Sequence, residues 1–416
     1  MDNPTTHLAN DDDGRSLLVR GSQIAETQAG AETASDPGVT FQADTTLDCS
    51  GTLLGPGDIN AHTHLYSGLA PLGIPAPTPP PENFVQILER LWWRLDVCLE
   101  TASLRAAARL YVAEALLAGT TTLIDHHESP KLIEGSLDIL ADACQDLGMR
   151  ALVCYGATER NGGRDEAQRG LAENARFLRD NSRPLVRGAI ALHASFTVSD
   201  ETIREAGELC DAFGAIMHVH VAEDGADVDD AKTRGYEGPL ERLETLGALP
   251  PGSILAHGVH LTAAQVERSQ ALGAWLVQNP RSNTNNRVGY SRLLGHSDRV
   301  ALGTDGFPSR MNDELSALVG EATQHREPLC QVCARADRGR ALVEERFDVL
   351  LGDTPKAHAD IAALYTRPET PTRVRHLLVD GRLIVREGQL VTGDIDAIRA
   401  EAQVEADKLW ARMRAL

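Results

Sequence analysis

The chain has 416 residues, of which 42% are hydrophobic and 4% aromatic, enough for a barrel of roughly 250 residues plus a smaller domain, or for two or three ordinary domains. Its formal net charge is -20, and Lys131, Lys232, Lys356 and Lys408 are its only lysines; so acidic a surface repels phosphate backbones and anionic membranes, which argues against nucleic acid and membrane as partners. Seven scattered cysteines and an acidic first stretch, MDNPTTHLANDDDGR, in place of a basic and apolar leader, with no apolar run near the roughly 18 residues that span a bilayer, point to a reducing cytoplasm.

Residues 1–56 carry SLLVRGSQIAE (16–26), which reads as short antiparallel strands and is followed by the irregular QAGAETASDPG (28–38). A second such stretch, RVRHLLVDGRLIVREGQLV (373–391), lies within residues 346–416, ahead of a terminal helix. The two flank the central segment, so they are expected to join into one small β-sandwich-like domain.

Residues 57–345 form that central segment, and as far as about residue 325 it alternates β-rich stretches with stretches of helical period, the pattern of a parallel α/β fold. Eight strands are expected: GDINAHTH (57–64), TTTLIDHH (120–127), RALVCYGATE (150–159), LVRGAIALHA (185–194), GAIMHVHVAE (214–223), SILAHGVH (253–260), GAWLVQNP (273–280) and RVALGTDG (299–306). Helix candidates such as LRAAARLYVAEALLAG and LTAAQVERSQALG end at glycines suited to a left-handed cap. PLGIPAPTPPPEN (71–83) is too proline-rich for regular structure and is a lid or loop candidate, with Trp92 and Trp93 following it. Cys330 and Cys333 form a lone CxxC and read as incidental.

A distorted (β/α)₈ barrel is favoured over a doubly wound sheet by where the polar residues fall. His62 and His64, Asp125 and His126, Glu159, His193, His220 and Glu223, His257, Asn279 and Asp305 all sit at the C-terminal ends of expected strands. In a barrel these ends converge on one mouth, where active sites are built.

Side chains two apart on a strand share a face, so His62 and His64 both point inward. His218 and His220 do the same, with His220 nearer the mouth and His218 a layer deeper. Asp305 ends the eighth strand, beside the first in a closed barrel. Three imidazoles and one carboxylate then surround a point, a set that suits one divalent metal ion, Zn²⁺ first and Fe²⁺ second. A single histidine is more often a hydrogen-bonded core residue, but ten of the fourteen lie between 62 and 296, most of them at strand ends.

This pattern resembles the amidohydrolase superfamily: PGDINAHTH (56–64) matches its first-strand PGxxxxHxH signature and ALGTDG (301–306) its eighth-strand aspartate. HVAE (220–223), AHGVHLT (256–262) and QNPRSN (278–283) are similar to the cytosine deaminase and chlorohydrolase-like branch. Within it, ILERLWWRLD, IDHHESP, NPRSNTNNRVGY and VDGRLIVREGQLVT are most similar to the SsnA aminohydrolase group. The resemblance implies His62, His64, His220 and Asp305 as ligands of a metal that activates water, with Asp305 as general base, Glu223 as proton donor to the substrate ring, and His257 as hydrogen-bond partner of the attacking oxygen. Binuclear members need a carboxylated lysine ending the fourth strand; here that strand ends at His193, so a single metal is expected and His193 becomes a substrate contact. Trp92, Trp93, His127 and Asn279 are further candidate substrate contacts. Alternation sends only one of His126 and His127 inward, and a second metal there is the alternative. The segment between barrel and last strands is short for the superfamily, with only KAHADIAAL (356–364) resembling the usual pattern.

The expected activity is deamination of a small aminated N-heterocycle, purine- or pterin-like. Ring opening of a cyclic amide and triazine-type chloro- or aminohydrolysis are the alternatives, and an inactive barrel serving as a binding module is the non-enzymatic one. Self-association into a homo-oligomer is left open.

Overall fold

All eight expected barrel strands are present in the computed structural model, which describes residues 4–28, 41–366 and 373–416. They are Asp58–Thr63, Thr120–Asp125, a third split into Arg150–Val153 and Gly156–Ala157, a fourth split into Val186–Gly188 and Ile190–Ala194, then Met217–Val221, Ile254–His257, Trp275–Gln278 and Val300–Leu302. Thr120–Asp125 (TTTLID) shows why these are interior strands: all six residues are buried, as expected where helices cover the outside and side chains fill the inside.

The two split strands explain the distortion. Their first halves belong to a four-stranded sheet with strands one and two, and their second halves to a six-stranded sheet with strands five to eight. Val186 pairs with Ala151 in the first sheet, and Ala191 with Gly156 in the second. The ring closes between strands eight and one through a parallel bridge from Thr63 to Asp305. Helix Thr101–Ala118 illustrates the outer layer, starting where Ser103 Oγ accepts the Glu100 amide at 3.0 Å and stopping at Gly119, whose φ of 100° is the left-handed cap.

The flanking segments form two stacked sheets. One joins Gln23–Gln28, Ser16–Arg20, Thr5–Ala9 and Thr45–Asp48; the other joins Gln389–Leu390, Arg382–Arg386, Val374–Val379, Ile361–Tyr365 and the N-terminal strand Thr52–Pro56. Leu8, Leu17, Ile24, Leu47, Leu54, Ile361 and Leu378 fill the space between them. The irregular stretch expected at 28–38 lies outside the described residues apart from Gln28. The terminal helix Ile395–Ala415 returns to the barrel, where Trp410 Nε1 donates to Leu72 O at 3.1 Å. Cys330 and Cys333 are exposed and unpaired, and among the described residues no helix is long and apolar enough to cross a membrane.

Barrel floor and sandwich are clasped by Arg150, which opens strand three and donates from Nε and Nη2 to both oxygens of Asp360, each at 3.0 Å. Both groups are buried, and Arg150 also reaches Asp380 at 3.2 Å, so it is removal of the arginine that leaves Asp360 dry without its ion pair, which costs about 3–5 kcal/mol. Arg150→Met is expected to lose stability on that scale in urea denaturation, and Arg150→Met with Asp360→Leu to recover much of it. Equal stability of wild type and single variant would show that the pair holds nothing together.

Candidate metal centre and active site

Strands one and eight approach more closely at the mouth than side chains would allow. The amides of Thr304 and Asp305 both donate to His62 O, at 2.9 and 3.0 Å. A Cβ at Gly303 would lie 2.8 Å from His62 N and O and 2.6 Å from Asn279 Oδ1, so glycine is required there. Asp305 then turns out of the strand at φ 52°, and its Oδ1 lies 2.8 Å from His64 Nε2 and 3.5 Å from His62 Nε2. From strand five, His220 Nε2 comes within 3.4 Å of His64 Nε2. His257, at the end of strand six with φ 75°, joins from the other side. The ligand atoms of His62, His220, His257 and Asp305 all lie within 4.8 Å of one another. Positive φ at two non-glycine residues of one cluster is costly backbone placed where the side chains must converge.

Each imidazole is oriented by its second nitrogen. His64 Nδ1 donates to His126 O at 2.5 Å, His220 Nδ1 to His193 O at 2.6 Å, and His257 Nδ1 to Asn283 Oδ1 at 2.8 Å. Their Nε2 lone pairs are left facing the cluster, the arrangement metal-binding histidines need. The Nε2 atoms of His62 and His257 are buried with no hydrogen-bond partner among the described residues, so both are open to an electron-pair acceptor.

Electrostatics agree with that opening. Burial pushes His62 down to about 3 and holds His193, His218 and His220 well below the usual imidazole range. His64 departs from this: burial opposes its charge, but the hydrogen bond and field of Asp305, joined by Glu128 and Asp125, raise it to about 10. The cluster thus draws one positive charge to the side of Asp305, which a proton or a divalent cation satisfies. The close set is His62, His220, His257 and Asp305, with His64 Nε2 2.8 Å from Asp305, and in donor type, spacing and charge this group fits such a cation.

Two carboxyls at this mouth are driven apart. Burial disfavours the charge on Asp305, yet the imidazoles of His62 and His64 beside it hold it well below the usual carboxylate range, and Ser282 Oγ donates to its other oxygen. Burial pushes Glu223 up to about 7, with the charge of Asp305 adding to the rise and His257 opposing it. Glu223 lies 3.6 Å from His257 Nε2 and accepts from Asn286 Nδ2 at 3.3 Å. One site thereby holds a ready base and a ready acid.

The cavity above them is lined by Tyr66, Phe84, Leu88, Trp92, Trp93, His193 and Phe196, with Asp96, Glu128, Glu223, Asp224, Asp227 and Asn286. Trp92 belongs to a single π-helical turn, Leu88–Trp92, a local widening frequent at functional sites, and its ring would meet a Cβ at Gly306. Trp93 lies under the Arg160 guanidinium, 4.8 Å from the ring centre. His193 is held by Thr197 Oγ1 at 3.1 Å.

Two candidate contacts are not in this wall. His127 is the outward member of its pair: it is fully buried, and its Nε2 donates to Ser129 Oγ at 2.7 Å. His126 turns inward instead, with Nε2 donating to Leu192 O at 3.0 Å and Nδ1 2.8 Å from Glu128 Oε1. His64, His126 and Glu128 also form a close set, but His64 Nδ1 and His126 Nε2 are spent on carbonyls. Asn279 folds back under Gly303 and His257, and Asn286, one helix further on, occupies the wall in its stead. Glu128, Asn286, Asp96, Asp227 and Ser282 were not singled out in the sequence. Only Glu128 carried a signal, its place just past the second strand's histidines; the others sit on helices and loops with no strand-end spacing.

A family model described as the amidohydrolase family matches residues 53–357, and the chain belongs to that family. It is 28% identical over 429 aligned residues, 94% of each chain, to a 5-methylthioadenosine/S-adenosylhomocysteine deaminase of Halobacterium salinarum. It is also 28% identical to an 8-oxoguanine deaminase of Pseudomonas aeruginosa, over 74% of this chain and 70% of that one. Its fold is similar, with a TM-score of 0.82 and 21% identity over 98% of each chain, to the crystal structure of an adenosine deaminase from Xanthomonas campestris with bound zinc.

Gly303→Ala is expected to force strand eight from strand one and to cost about 1–3 kcal/mol, typical of overpacking, read by urea denaturation. Undiminished stability would mean that the close approach carries no strain.

Proposed function

We propose that this chain is a metal-dependent aminohydrolase that removes an amino group from a purine-like N-heterocycle. One observation carries the reading: a half-buried Glu223 carboxyl near neutrality faces the same cavity as an ionised Asp305 within the imidazole cluster. Deamination needs that combination, since one group must take a proton from attacking water while another protonates a ring nitrogen and then the departing ammonia. The names of the sequence relatives, deaminases of adenosine-type compounds and of 8-oxoguanine, support the substrate class.

His62, His64, His220 and Asp305 would hold a single divalent cation, Zn²⁺ before Fe²⁺, which supplies the Lewis acidity that makes water a nucleophile near neutral pH. Asp305 accepts the proton of the attacking water. Glu223 delivers a proton to the ring, and the Nε2 lone pair of His257, 3.6 Å from it, accepts a hydrogen bond from the attacking water. A flat heterocycle fits between Trp92, Trp93 and Phe196, with His193 toward its edge. Among the described residues no lysine or arginine lines the cavity while six carboxyl groups do, which disfavours a phosphorylated nucleotide relative to a free base or nucleoside.

Assayed against purines, pterins, pyrimidines and their nucleosides, the protein is expected to release ammonia from at least one, and a 5′-phosphate on that compound should suppress turnover. Glu223→Gln should cut turnover by a factor on the order of 10² or more with metal content near normal, whereas His62→Ala should lose metal. Full turnover in Glu223→Gln would remove Glu223 from the chemistry, and ring loss without ammonia would replace deamination by ring opening.

A further inference from the structure

We infer that His218 and Cys154, through a buried hydrogen-bond chain, fix the tautomer of His62 and so present its Nε2 lone pair to a cation. The inference rests on the proposal that His62 is a metal ligand and goes beyond it by assigning two positioning residues.

His62 has a problem that His64 and His220 do not. Those two give their Nδ1 protons to backbone carbonyls, which only accept, so their tautomers are fixed outright. The Nδ1 of His62 faces another imidazole instead, His218 Nε2 at 3.0 Å. An imidazole nitrogen can give or take a proton. Taken alone the pair has two registers, and in one of them His62 carries its proton on Nε2 and cannot bind a metal.

The rest of the chain breaks the tie. His218 Nδ1 lies 3.5 Å from Cys154 Sγ, and Cys154 Sγ lies 3.2 Å from Asp125 O. The final carbonyl takes the one thiol hydrogen. Sγ must then accept from His218 Nδ1, which leaves His218 Nε2 as a bare acceptor for the Nδ1 proton of His62. His62, Cys154 and His218 are all 0% exposed, so no water reaches the chain to reverse it, and in so dry a setting an unmatched donor is costly. Cys154 lies in the break between the two halves of strand three and His218 in strand five, beneath the mouth. His218 is thus the deeper partner of the His218/His220 spacing, and its own Nε2 is taken up by the Nδ1 proton of His62.

The test is Zn²⁺ titration of chelator-stripped full-length protein, with wild type beside His218→Leu, His218→Gln, Cys154→Ala and Cys154→Ser. His218→Leu offers no acceptor and Cys154→Ala no anchor; both are expected to weaken Zn²⁺ binding by about 10–100-fold, the usual scale for lost outer partners of a ligand. Gln and Ser restore an acceptor and an anchor and should recover most of the loss. Nitrogen NMR of histidine-labelled apoprotein should find the Nδ1 proton on His62 in wild type and a mixture of tautomers in Cys154→Ala. Should His218→Leu fail to fold, Cys154→Ala carries both measurements. Wild-type affinity in His218→Leu and Cys154→Ala, or a Gln variant as weak as Leu, overturns the chain's role while leaving the metal reading intact. Wild-type protein that binds no Zn²⁺ overturns that reading and this inference together.

Discussion

The mouth of this barrel depends on how near its last strand comes to its first. Two consecutive amides of the eighth strand converge on the carbonyl of His62, and the absence of a side chain at Gly303 permits it. From that contact Asp305 swings at positive φ toward both imidazoles of the first strand. A barrel that closed one side chain wider would hold the same residues and lose the cluster. The small sandwich and the buried Arg150–Asp360 pair act at the other end, holding the floor so that the rim can be tight.

Orientation comes next. Three of the imidazoles are turned by carbonyl or amide oxygens on neighbouring strands and on the helix after strand seven, and His62 by a chain of side chains. Because the interior is dry, each of these bonds persists, and the lone pairs left over share one space with a single carboxylate. The same dryness separates the acids: Asp305 is kept ionised by the imidazoles it touches, while Glu223, further from them, is raised toward neutrality. An acid and a base on one cavity are consequences of burial and neighbours, not of residue type.

Much of this was legible in the sequence because a barrel places chemistry at strand ends. HTH in the first strand, HVHVAE in the fifth and GTDG in the eighth are short, local and ordered, and the eight strands followed from alternation and β-branched runs. What escaped depended on distance or on side-chain direction. His127 and Asn279 occupy strand ends but turn away, one by alternation and the other by folding back against the ring of His257. Asn286, Asp96, Asp227 and Ser282 reach the cavity from helices and loops, where spacing carries no such rule. The splitting of the third and fourth strands at Cys154–Tyr155 and Ala189 is a matter of how two sheets share one strand, and no pattern of hydrophobic residues encodes it.

Anomalous X-ray diffraction from crystals grown with Zn²⁺, collected on both sides of the zinc edge, tests the central claim most directly. The account predicts one strong peak within about 2.0–2.3 Å of the Nε2 atoms of His62, His64 and His220 and of an Asp305 oxygen. An absent peak, or one placed at Glu128 and His126 with the first-strand histidines unligated, would contradict it.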